Sequence, residues 1–237
     1  MQRIATELQN ATGGCFTTKT KSGAILDICT APGGFLVAAM ALNDPSLRIR
    51  ACPLPFSQGS YKIILPHENN HAIQISYLDI TMFAEDMGMG LNEISASHPD
   101  HRQFMHAPIY HEGESIRLQT SSFVLALEHL RPGGTLITLL HKIEVWGMAC
   151  LLQTMSMFSE VRVHKPKSGR ANRSFFYVVA KNVQSASREA EVYQAARESG
   201  PQSEELVAEF GPRLVKLGRS VCFTQANALA KAPFLRN

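Results

Sequence analysis

A carboxylate, a thiol, a hydroxyl and two adjacent glycines fall within one short stretch, Asp27-Ile28-Cys29-Thr30-Ala31-Pro32-Gly33-Gly34-Phe35. Paired glycines remove side chains, so a ligand can lie against bare main chain, and a helix starting there offers N–H groups to it. The order is not G-x-G-x-x-G, and no lysine follows the glycines as in a phosphate-binding loop. A dinucleotide or a triphosphate is therefore disfavoured. An ordinary strand-to-helix turn would use the same two glycines.

Other reactive types are grouped less tightly. His98, His101, His106 and His111 crowd one Gly- and Pro-containing segment. His98-x-x-His101 could begin a metal site, but no second pair at ligand spacing and no nearby cysteine follow, so no metal is expected. A histidine titrates near neutrality, which makes His106 and His111 candidates for general acid or base work. Cys15, Cys29, Cys52, Cys150 and Cys222 are scattered, odd in number and free of C-x-x-C pairs. That pattern reads as reduced thiols in cytoplasm or nucleus rather than a disulfide scaffold.

The elements that must position these groups follow from periodicity. Met1–Ala11 reads as a short helix with Ile4 and Leu8 on one face, closed by Thr12-Gly13-Gly14. Ala24–Ile28 is an apolar strand, and Leu36–Leu42 an Ala-, Leu- and Met-rich helix after the glycine turn. Leu47–Cys52 is a second strand; Tyr61–Pro66 and Ala72–Leu78 are β-prone runs, and Asp79 is placed to cap a helix over Met82–Met87. Ser115–Leu130 is helical and ends at Pro132-Gly133-Gly134; Thr135–Leu140 is a buried strand leading to His141 and Lys142. Val145–Phe158 is a helix, and Glu160–His164 pairs with Phe175–Ala180 as antiparallel edge strands. Beyond Val183, Ala186–Glu198, Glu204–Phe210 and Val215–Ala230 look helical. The expected architecture is a Rossmann-like α/β sheet with helices on both faces over 1–182, and a helical extension over 183–237 packed on it.

With 237 residues, 45% hydrophobic and 18% charged, the chain can bury an ample core. Its formal charge of +3 does not call for a polyanion partner. Lys165, Lys167, Arg170 and Arg173 form the one dense basic run, which reads as a solvated loop or a phosphate contact. No apolar stretch reaches membrane-spanning length, and Met1–Asn10 lacks the apolar core of a signal sequence.

Leu26–Phe35 resembles the S-adenosylmethionine (SAM) motif of FtsJ-like methyltransferases, which methylate ribose 2'-hydroxyls of ribosomal RNA and mRNA caps. The resemblance returns at Leu130-Arg131-Pro132-Gly133-Gly134-Thr135-Leu136, at His141-Lys142, and over Lys165–Arg170 with Arg173–Val179. It implies SAM as cofactor, held by Asp27, Ala31, Pro32, Gly33, Gly34, Phe35, Leu54 and Asp79, with Asp79 accepting from the adenine amino group. It also implies that Lys142 belongs to the family's Lys-Asp-Lys-Glu tetrad, which deprotonates and orients the ribose hydroxyl. The other three tetrad members are missing. The helix before the first strand has no lysine, Ile109–Glu114 is too short and polar for the aspartate's strand, and Phe175 follows Ser174 where glutamate is expected.

A kept cofactor motif beside a depleted reaction centre predicts methylation of a small molecule rather than RNA, since a sulfonium methyl needs mainly positioning to transfer. A cyclase- or isomerase-like reaction using His106, His111 or Lys142, or a binding subunit without catalysis, are the alternatives. The second strand also ends without the acidic residue that commonly holds a ribose. The short middle of the sheet predicts a gap, closed by a homodimer or another chain.

Overall fold

The computed structural model describes residues 1–18, 23–64, 72–80, 114–169, 171–184 and 203–232. The His-rich segment 98–111, Lys19 and Lys21, which read as a solvated loop before the first strand, and the helices expected at 82–87 and 186–198 lie outside these residues. The chain divides into two compact units, residues 17–129 and residues 1–16 with 130–237.

Unit 17–129 is a parallel sheet, β1 (Ala24–Ile28), β2 (Arg48–Cys52) and β3 (Ile73–Ile75), in the order β1-β2-β3. Alternation in β2 puts Ile49 and Ala51 inside and Arg48 and Arg50 outside. Ile49 and Ala51 form a core with Leu36 of helix α2 (Gly34–Ala41) and Ile63, against which Ile25, Val37, Ile73 and Ile75 pack. Residues 61–64 of the β-prone run form no strand: Ile63 is buried in that core, and the Ile64 N–H goes to the Pro32 carbonyl at 3.0 Å rather than to a ladder. Helix α3 (Glu114–His129) packs against β1.

The other unit is built on an antiparallel sheet of β4 (Gly134–His141), β5 (Glu160–His164) and β6 (Phe175–Val183), ordered β4-β6-β5. The edge strand expected at Phe175–Ala180 is thus the central one. Phe176, Val178 and Ala180, and Tyr177 and Val179 between them, are all buried, which requires cover on both faces. Helices α1 (Gln2–Thr12), α4 (Trp146–Phe158) and α5 (Ser203–Ala230) contact β5. The carbonyls at the end of α1 are capped from the sheet: Lys181 Nζ donates to Thr12 and Gly13 O, both at 2.8 Å. The Glu7 carboxylate accepts the N–H groups of Lys167 and Ser168 at 2.8 and 2.9 Å.

The two C-terminal helices expected on either side of Pro212 are one continuous helix. Phe210 and Val221, three turns apart on one face, are both buried, and that burial outweighs the hydrogen bond lost at the proline.

At the Pro-Gly-Gly turn, Gly133 has φ +78°, and a Cβ on Gly134 would sit 2.8 Å from the Arg131 carbonyl and 2.6 Å from Leu130 Cδ1. A backbone carbonyl cannot yield as a side chain can. Gly134→Ala should therefore cost about 1–3 kcal/mol, read as a lower denaturant midpoint at unchanged slope.

Candidate functional site

The three parallel strands of unit 17–129 end at one edge, where their loops are laced together. Cys29 N–H donates to Cys52 O at 3.0 Å, Ser76 N–H to Ala51 O at 2.9 Å and Leu78 N–H to Pro53 O at 3.0 Å. The carboxyl end of a parallel sheet is where α/β folds bind ligands.

Cys29 leaves β1 with φ +66°, a left-handed conformation unusual for a side-chain-bearing residue. The buried Thr30 hydroxyl donates to Asp27 O at 2.8 Å and closes the turn. Ala31-Pro32, a cis peptide, then leads to Gly33 at φ +97°, which precedes α2 as a cap that provides no side-chain hydrogen bond. A side chain at Gly33 would be strained by the backbone alone. Phe35 in the first turn of α2 and Leu54 after β2 are half-buried.

Two carboxylates and two thiols share this edge. Burial pushes Asp27 up to about 7, against a hydrogen bond from Thr30 that lowers it. Burial, then the charges of Asp27 and Asp79 and the Cys52 thiol, push Cys29 up to about 11. Its thiol stays protonated near neutrality and is no nucleophile. Asp79, placed by sequence only through its position in the chain, is an electrostatic neighbour of Cys29. No group of three or more metal-ligating side chains occurs among the described residues.

Lys142 is placed in the other unit, at the end of β4. It is exposed, and like Cys29 it is left-handed, at φ +54°. Its N–H donates to Ser174 O at 3.0 Å, and its carbonyl accepts the Val145 N–H at 3.0 Å. Burial, followed by the charges of Lys165 and Lys142, holds His141 below its ordinary value.

A family profile described as FtsJ-like methyltransferase matches residues 5–183. The chain belongs to the FtsJ-like methyltransferase family. Among solved structures it is similar to an rRNA methylase from Streptococcus thermophilus, 14% identical, with 69% of this chain and 89% of that chain covered and a TM-score of 0.38. No curated protein matches.

In this FtsJ-like chain, Asp27, Ala31, Pro32, Gly33, Gly34, Phe35, Leu54 and Asp79 all belong to the parallel-sheet unit, along or just beyond its strand ends. Lys142 stands on the antiparallel unit, and His106 and His111 lie outside the described residues. Sequence reasoning placed Cys29 and His141 in these stretches without giving either a role, and read Lys165 only as part of a basic loop. No residue type or spacing signals a left-handed cysteine, and Lys165 looked like one charge in a basic run. Phe175, at the expected glutamate position, makes an edge contact with His141 at 6.3 Å between ring centres.

Asp27 has an ordinary value near 3.9 when unfolded and about 7 when folded, so the native chain holds the proton more tightly. The group's stabilising protonation is complete below about pH 4 and is lost as pH rises through about 7. Asp27→Asn should therefore raise the melting temperature at pH 8 and leave it unchanged below pH 4. A difference independent of pH would contradict the assignment.

Proposed function

We propose that the chain binds SAM at the carboxyl end of β1–β3 and transfers its methyl group to a small-molecule acceptor rather than RNA. The observation that carries this is the turn at Thr30–Gly34, where Gly33 and Gly34 carry no side chain, next to Cys29, on which the charges of Asp27 and Asp79 both act. These residues suit an adenosyl sulfonium. Ala31, Pro32, Gly33 and Gly34 give close backbone approach, Phe35 and Leu54 give apolar surface, and the two carboxylates favour a cation. Asp79 is the acceptor for the adenine amino group. When bound, SAM supplies an electrophilic methyl on positively charged sulfur.

The acceptor side has little acid–base equipment. Lys142 offers an exposed ammonium that orients a nucleophile, and Phe175 replaces a carboxylate by a ring. Proximity then supplies most of the acceleration for a nucleophile that needs no strong base. The basic run gives little support to RNA, because its Lys165 is buried and bonded to backbone carbonyls rather than presented to phosphates. The same loss of acids and bases favours, as a second reading, a reaction on this fold that moves no methyl group, with His106, His111 or Lys142 as acid or base.

Calorimetry with SAM and with S-adenosylhomocysteine tests the cofactor reading. Heat and a thermal shift are expected with both, with SAM affinity rising as pH passes upward through about 7 and Asp27 becomes charged. No heat with either ligand overturns it. Incubating the chain and a cell extract with methyl-labelled SAM should label small molecules and leave RNA unlabelled. Lys142→Met should cut labelling at least about tenfold if that ammonium positions the nucleophile. Unchanged labelling would remove Lys142 from the site.

A further inference from the structure

Lys165 opens the β5–β6 hairpin loop, yet only 3% of it is exposed. Its ammonium donates to the carbonyl of Arg173 and, at 2.5 Å, to that of Phe175, and it sits 4.6 Å from the centre of the Phe175 ring. Burying a cation is costly unless its donors are used, and two backbone carbonyls with a ring face use them here. The carbonyl between those two, Ser174 O, accepts the Lys142 N–H at 3.0 Å from the β4 side. Residues 173–175 are therefore gripped by two lysines, one through the ammonium and one through the main chain.

Lys142 needs such support. Its left-handed backbone is unfavourable for a residue with a Cβ and persists only where neighbouring bonds dictate it. The hydrogen bonds to Ser174 O and from Val145 N–H are the contacts that hold this peptide. The first depends on where Ser174 O is placed.

We propose that Lys165 is a positioning residue for Lys142: its buried ammonium fixes the carbonyls of Arg173 and Phe175, and so fixes the Ser174 carbonyl that holds Lys142 in its left-handed conformation. The inference rests on the reading that Lys142 serves the acceptor, and it extends that role to a residue that touches neither cofactor nor acceptor. It also explains why a lysine in a basic loop faces inward. Its charge supports a neighbour's geometry instead of meeting a polyanion.

Amide hydrogen exchange followed by NMR on the full chain tests this without an identified acceptor. In Lys165→Met the Lys142 amide should exchange about tenfold faster, while the Val178 and Val179 amides of central strand β6 keep their protection. Lys165→Arg, which retains a cation with several N–H donors, should restore most of the Lys142 protection. An unchanged Lys142 amide in Lys165→Met overturns the proposal. So does a loss spread equally over Val178 and Val179, or a variant too unstable to protect them, since either marks a lysine that merely supports the sheet. Heat with S-adenosylhomocysteine should be the same in parent and Lys165→Met. Absence of heat in the parent removes the cofactor reading and leaves the exchange result to decide the role of Lys165.

Discussion

The in-register parallel ladder of β1, β2 and β3 is the constraint on which the rest depends. Pairing Ile28 with Cys52 makes both strands leave the sheet at the same level, and the bonds from Ser76 and Leu78 bring the third strand's exit alongside. Chain reversal at that edge has little room. Cys29 takes up a left-handed backbone, Thr30 turns its hydroxyl back to Asp27 O, and Gly33 adopts a φ that other residues avoid. A turn built this way puts two residues without side chains, Gly33 and Gly34, between the end of β1 and the start of α2.

Electrostatics then separates the two units by chemistry. The parallel-sheet edge gathers Asp27, Asp79 and two protonated thiols, an environment that favours a cation. The end of β4 gathers His141, Lys142 and Lys165, whose mutual repulsion helps hold the histidine neutral. On the proposed reading, Phe175 in place of the family's glutamate leaves this end with cations that would orient a group and, apart from His141, no base among its described residues to deprotonate a ribose hydroxyl. A methyl donor already charged at sulfur tolerates that loss better than most reactions would.

Much of this was legible in the sequence, for identifiable reasons. Ala24–Ile28, Arg48–Cys52 and Gly134–His141 are apolar or alternating runs that begin just after a glycine or a proline, and each folds within a residue or two of its expected limits. The Ala-Pro-Gly-Gly turn announced itself by composition. Less legible was whatever depends on partners distant in sequence. The central place of β6 follows from pairing with β4 across a helix and another strand, and the inward turn of Lys165 from carbonyls eight and ten residues away. The continuity of α5 through Pro212 was decided by burial of Phe210 and Val221, which local propensity cannot see.

The central claim is that an adenosyl ligand lies against the main chain at Ala31–Gly34. Amide resonances followed while S-adenosylhomocysteine is added test it most directly. The account predicts that the Thr30, Gly33 and Gly34 signals shift together and saturate at one affinity, with Asp79 shifting in parallel. If those four signals stay still while the ligand binds elsewhere, or if nothing moves at all, the account is contradicted.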